Sequence, residues 1–285
     1  MKQLKEKLLA YKYKIQSSVI AGISFFLFLA TDAKAQGDLL VMPHRLMFTK
    51  SSKMQEVHLS NMGKDTVTYL ISLQEIKMNE NGSFESITQP EAGQFFASSH
   101  LIFYPHKVKL APNEVQVIKV QLVKPGSMAV GEYRSHMYFR AVPDNAPQAT
   151  ANVSSDISVS ISPVFGITIP VIIHIGELNA NVHITDVSLT KDEKAPKLNL
   201  KFNRTGNAST YGDLVVDIIS TDGKIKEVAS VKGIAVYTPT KSRTLQIDLD
   251  NSSNINYKSG KLRITYSRQQ EYSSKTLAET ELLLN

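Results

Sequence analysis

The sequence predicts an all-β chain of two tandem immunoglobulin-like β-sandwich domains that follow a cleaved signal peptide. Three observations carry this. Short runs with period-two apolar alternation recur between turn signals after residue 36, helical periodicity is almost absent there, and the β signature occurs on both sides of Gly176-Glu177.

The opening residues 1–35 read as the signal peptide. Lys2, Lys5, Lys7, Lys12 and Lys14 form a charged start, and an apolar run from Ile15 to Ala30 centres on Phe25-Phe26-Leu27-Phe28-Leu29. Ala33-Lys34-Ala35 then supplies the small-x-small pattern of a cleavage site, which places the cut before Gln36. The run contains Gln16, Ser17, Ser18 and Gly22 and is shorter than the ~20 apolar residues of a membrane span.

Removal of the leader lowers Lys plus Arg from 32 to 26 and Asp plus Glu from 26 to 24, so the mature chain carries only +2. No basic run survives, which argues against nucleic acid as a partner. The chain has no cysteine, and hence neither a disulfide framework nor a thiolate zinc site. The fold must therefore rest on its apolar cores, which a mature chain of about 250 residues can build.

The first domain is expected over 36–175. Leu39 to Phe48 is a strand region broken by Pro43, and Val57 to Asn61 leads into a turn at Met62-Gly63-Lys64-Asp65. Val67 to Ile76 is the returning strand, followed by a polar hairpin turn at Asn79-Glu80-Asn81-Gly82. Leu101 to Tyr104, Val115 to Val123 and Tyr133 to Val142 complete the regular part, and residues 143–156 form a polar connection with two prolines. The second domain is expected over 176–285, with a hinge near Gly176. Its strands are Val182 to Leu189, Lys197 to Phe202, Asp213 to Ser220, Ile225 to Val236, Arg243 to Leu249, Leu262 to Tyr266 and Leu277 to Leu284.

The most regular pattern closes the first domain. Ile157, Val159, Ile161, Pro163, Phe165, Ile167, Ile169, Val171, Ile173 and Ile175 share one face of an extended chain. Nineteen residues is far more than the usual strand of about five or six. Pro163 and Pro170 lack an amide hydrogen and point to an edge strand, and a long apolar edge is an aggregation hazard unless a partner pairs with it. Four or five such side chains, at roughly 1.5–3 kcal/mol each, would hold a partner strongly. A core strand bent at Pro163, with its stripe turned toward its own sheet, fits the pattern as well.

Several segments, taken in order, resemble the periplasmic chaperones of chaperone-usher pilus assembly. They are Pro43-His44-Arg45-Leu46-Met47-Phe48, Val57-His58-Leu59-Ser60-Asn61-Met62-Gly63, the run from Pro105 to Ile118 with Leu110-Ala111-Pro112, and Gly131-Glu132-Tyr133-Arg134. The second half resembles the family more loosely, through Asn203 to Asn207, Gly233 to Thr238, and Arg243. The resemblance implies a periplasmic chaperone that lends a strand to pilus or surface-fibre subunits and delivers them to an outer-membrane usher-type platform. By the resemblance, the lent strand is Ile157 to Ile169, with Ile157, Val159, Ile161, Phe165, Ile167 and Ile169 as subunit-binding residues. A self-capping dimer through the same edge is physically sensible for the free protein.

The family anchors its client's C-terminal carboxylate between a cation on the first strand and a Lys on the lending strand. Arg45 matches the first position, with a fork geometry suited to a carboxylate. Ile169 to His174 contains no Lys, a departure that marks a divergent branch. Arg134, Arg140 and His174 are the candidates for the missing cation.

Catalysis has no constellation to rest on. There is no Gly-x-Ser-x-Gly elbow, His-Glu-x-x-His helix or P-loop. His44, His58, His100, His106, His136, His174 and His183 are scattered without metal-ligand spacing. The expectation is a binding protein without enzyme activity, metal or cofactor. The alternative is an exported structural or adhesive immunoglobulin-like surface module without chaperone activity.

Overall fold

The computed structural model describes residues 39–142, 164–191, 196–252, 255–269 and 274–284. The leader predicted over 1–35 and the connection 143–156 lie outside them, as do Ile157, Val159 and Ile161. The described residues are built from strands with two short 3-10 turns, and no helix among them is long and apolar enough to cross a membrane.

In chain order the first sandwich contains β1 (Leu39–Met42), β2 (Leu46–Phe48), β3 (Met54–Asn61), β4 (Val67–Gln74), β5 (Ile76–Met78), β6 (Phe84–Ser86), β7 (Leu101–Tyr104), β8 (Lys107–Leu110), β9 (Val115–Leu122), β10 (Gly131–Val142) and β11 (Gly166–Ile175). One sheet runs β1-β3-β9-β7 and the other β2-β11-β10-β4-β8, while β5 and β6 pair only with each other. The break at Pro43 moves the chain from one sheet to the other: β1 pairs antiparallel with β3, and β2 pairs parallel with β11.

Period-two alternation turns one face of each strand inward. Phe48, Val57, Leu59, Leu110, Ile118, Val120, Met137 and Phe139 meet in the first core, joined by Ile169, Val171, Ile173 and Ile175 from β11. Asn61 is buried where β3 ends, and its amide nitrogen donates to the Asp65 and Leu110 carbonyls at 2.8 and 3.0 Å. Its side-chain oxygen accepts the Gly63 amide at 3.0 Å, so one side chain holds the predicted turn together.

The second sandwich contains β12 (Ala180–Lys191), β13 (Pro196–Gly206), β14 (Thr210–Ile219), β15 (Ile225–Val236), β16 (Ser242–Asp248), β17 (Gly260–Gln269) and β18 (Ser274–Leu284). Its sheets run β12-β13-β16 and β15-β14-β17-β18. Phe202, Leu214, Val216, Leu262, Ile264 and Tyr266 form its centre, with the Phe202 and Tyr266 rings edge to face at 4.9 Å. The Tyr266 hydroxyl donates to the Ile234 carbonyl at 2.8 Å, and burial pushes its pKa up to about 12. A third, smaller cluster of Met78, Ile172, Ala235 and Tyr237 draws on both sandwiches and joins them.

The two main cores share no residue. Phe139→Ala and Phe202→Ala are each expected to cost about 3–5 kcal/mol in their own sandwich. Equilibrium urea unfolding of each variant measures this as a lowered midpoint.

Candidate functional site

Strands β10 and β11 lie antiparallel with Glu132 opposite His174, Arg134 opposite Ile172 and His136 opposite Pro170. Tyr133, Met137 and Phe139 alternate with these residues and face the first core. The other face of β10 is also buried from Gly131 to Met137, although it carries Glu132, Arg134 and His136. Groups from the second sandwich cover it, and the site lies along this seam.

Arg45 enters the seam from the residue before β2. Its guanidinium carbon lies 3.8 Å from the Tyr211 ring centre, and its Nη2 donates to the Tyr237 hydroxyl at 3.3 Å. Arg134 approaches the same Tyr237 ring at 4.5 Å and donates through Nη2 to the Thr238 carbonyl at 3.3 Å. Each cation over a ring is worth about 0.5–2 kcal/mol. The Nε atoms of both arginines are buried without a hydrogen-bond partner. Two fork-shaped donors with spare hydrogens in one seam form a setting for an anion.

His136 explains how the two cations are tolerated together. Burial, and then the charges of Arg134 and Arg45, push its pKa down to about 3, so the ring is neutral. Arginine has donors only, so the 3.3 Å approach of Arg134 Nη1 to His136 Nδ1 makes that nitrogen the acceptor and leaves the proton on Nε2.

Glu132 is 3% exposed and ties the sandwiches together. It accepts from the Ser209 amide at 2.9 Å, the Ser209 hydroxyl, the Thr238 hydroxyl at 3.1 Å and His174 Nε2 at 3.0 Å. Burial raises the pKa of its carboxyl, but the hydrogen bonds from His174 and Ser209 outweigh burial and hold the group below its ordinary value.

The free edge of the sheet lies beside this seam. β2 pairs with only Val171 to Ile173 of β11, so among the described residues Gly166 to Pro170 has a strand partner on the β10 side alone. Pro170, which has no amide hydrogen to offer, stands where this open stretch ends.

The predicted site residues divide accordingly. Ile169 is 3% exposed in the first core, so for it and the stripe residues up to Ile175 the core-strand reading holds. Ile167 is half-buried against that core, and Phe165 is 47% exposed beyond it. Arg45 and Arg134 come together at Tyr237. Arg140 does not join them: it is exposed opposite Gly166, six residues along β10 from Arg134, or about 20 Å. His174 is engaged by Glu132 instead.

Tyr211, Tyr237, Glu132, Ser209 and Thr238 are the seam residues that sequence reasoning missed. The available signal was the alternation of Glu132, Arg134 and His136 with the apolar Tyr133 and Met137 on the strand, which announces a second buried face.

No family model matches the chain, and no curated protein matches it. Among solved structures it is similar to the Class 5 fimbriae chaperone CfaA, at 14% identity and a TM-score of 0.42 over 87% of this chain and 99% of that one. A chain from the Salmonella enterica SafA pilin complex with the SafB chaperone aligns at 13% identity and TM-score 0.42, covering 88% of this chain and 99% of its own. A chain from the CsuC-CsuE chaperone-tip adhesion subunit pre-assembly complex of archaic chaperone-usher Csu pili, from Acinetobacter baumannii, aligns at 14% identity and TM-score 0.41, covering 86% and 98%.

The seam has a definite pH signature. His136 titrates near 3 when folded and near 6.5 when unfolded, so the unfolded chain binds the extra proton between those values. The resulting stability is fully present above pH 6.5 and is lost as pH falls toward 3, at up to about 1.4 kcal/mol per pH unit. Glu132, held low when folded, adds a further loss as pH falls below its ordinary value. His136→Gln keeps an acceptor for Arg134 but removes the titration. Denaturant unfolding across pH 3–8 is expected to give a shallower slope for this variant between pH 6.5 and 3, and equal slopes would refute the assignment.

Proposed function

We propose that the chain is an exported, periplasmic assembly chaperone that binds pilus or other surface-fibre subunits by donor-strand complementation and delivers them to an outer-membrane usher-type platform. The observation that carries this reading is the edge of β11 at Gly166 to Pro170, which continues the apolar stripe of residues 157–165 and ends beside Arg45 and Arg134. An open edge offers backbone hydrogen bonds, and alternating apolar side chains offer knobs for a groove. Together these are the two requirements of strand addition.

On this reading residues 1–35 are removed on export, 36–175 form the lending domain, and 176–285 form the second sandwich. Ile157, Val159, Ile161, Phe165 and Ile167 supply side chains to the client, while Ile169 contributes backbone because its side chain belongs to the core. Arg45 and Arg134 receive the client's C-terminal carboxylate through their guanidinium forks. The second cation then stands on β10, which accounts for the missing Lys on the lending strand. Without a client, the same edge pairs with a second copy as a capping dimer. The reading involves no catalytic step, cofactor or nucleic acid.

Co-purification from the native periplasm tests the strand. Wild type is expected to bring down a small β-rich exported subunit, and Ile157→Asp/Val159→Asp/Ile161→Asp to lose it while remaining folded by circular dichroism. If both forms carry the same partner, the stripe is not the contact.

The anchor is tested separately with a soluble decapeptide of alternating Thr and Val, made with a free C-terminal carboxylate and as the C-terminal amide. By isothermal titration calorimetry, wild type is expected to prefer the acid, and Arg45→Ala to lose about tenfold or more in affinity for it with little change for the amide.

A further inference from the structure

The β5–β6 hairpin belongs to the first sandwich by chain order, yet most of its support comes from the second. An isolated two-stranded hairpin is marginal in water, and this one has three paired residues on each side. The Thr240 hydroxyl donates to the Met78 carbonyl at 2.5 Å, and the Ser242 hydroxyl donates to the Glu80 carboxylate at 2.7 Å. The Thr244 amide donates to the Glu80 carbonyl at 2.7 Å, and the Thr244 hydroxyl reaches the same oxygen at 3.2 Å. Met78 completes the small cluster with Ile172, Ala235 and Tyr237.

The turn is shaped for this contact. Gly82 has φ +81°, and a Cβ there would lie 2.8 Å from Arg243 Nε. The Arg243 guanidinium lies against the turn while its Nη1 donates to the Ala235 carbonyl at 2.6 Å. Phe84, the first residue of the returning strand, is 48% exposed, so the first core does not account for its place. Its ring meets His136 edge to face at 5.5 Å and Tyr237 at 6.2 Å. Those two residues hold Arg134, one by a hydrogen bond and the other by its ring face.

We infer that the β5–β6 hairpin is a clasp between the sandwiches and that Phe84 is a positioning residue for the arginine pair. It holds Tyr237 and His136 in the relation that fixes Arg134 and, through the Tyr237 hydroxyl, Arg45. Without Phe84, both supports are free to turn and the two forks lose their common aim. The effect on a ligand rests on the carboxylate-anchor reading above, whereas the effect on Arg134 does not.

The experiment combines two readouts on the full mature chain. The first is the Nε–Hε resonance of Arg134 in ¹H–¹⁵N spectra without ligand. The second is the ratio of affinities for the acid and amide forms of the Thr/Val decapeptide. Phe84→Ala is expected to shift the Arg134 resonance and to reduce the acid-to-amide ratio about tenfold. Phe84→Tyr, which keeps the ring, is expected to restore both.

Thr240→Val with Ser242→Ala loosens the clasp from the opposite side without touching the ring, and is expected to shift the resonance in the same direction. If wild type does not distinguish acid from amide, the anchor reading fails and the clasp is judged on the resonance alone. An Arg134 resonance unmoved by both Phe84→Ala and the Thr240/Ser242 pair overturns the inference.

Discussion

A carboxylate buried to 3% exposure keeps its charge only if donors replace the water it has lost. Glu132 meets that condition with one donor from its own sandwich and three from the second, on Ser209 and Thr238. Much else in the seam follows from this constraint. Once Thr238 is fixed to Glu132, its carbonyl is in reach of Arg134, and the neighbouring Tyr237 ring lies where both arginines can use it. The join between the sandwiches and the assembly of the cation pair therefore share contacts.

The seam also holds two arginines that no carboxylate among the described residues pairs directly. A nearby carboxylate aimed at the two guanidinium forks would neutralise them and close the site, but Glu132 is occupied by hydroxyls, an amide and an imidazole. Tyr211 and Tyr237 stabilise the cations through ring faces and one phenol oxygen, which leaves N–H directions unused. The neutral His136 accepts one hydrogen without adding a negative charge. On the proposed anchor reading, a client carboxylate would compete with these weak contacts.

Most of the fold was legible in the chain because a sandwich writes its inner face into every second residue. Val57 and Leu59 in β3, and the full alternation of β14, are direct instances. Arg45 was legible as a candidate through the resemblance carried by Pro43 to Phe48, and Arg134 as one of three cations that could replace the missing Lys. What joins them was not, since Tyr237 lies 192 residues from Arg45 and only the packing of two separately formed sandwiches brings it there. The apolar stripe left open whether Ile169 enters its own core, because alternation shows that a face is apolar but not whose core it enters. The hairpin at Asn79 to Gly82 was read correctly as a turn, with no sign in its composition that the turn grips a second sandwich.

The shortness of β2 sets a limit on anything that joins the sheet beside it. Leu46 is level with Val171, and Arg45 stands immediately before it in the chain. On the proposed strand-lending reading, a strand laid along Gly166 to Pro170 would meet the start of β2 as a physical stop. Running in the direction of β11, such a strand would bring its last residue to that stop, with its terminal charge facing Arg45. The step in the sheet edge would then work as a ruler, converting the end of an incoming chain into a fixed register and aligning each of its side chains by counting back from the terminus.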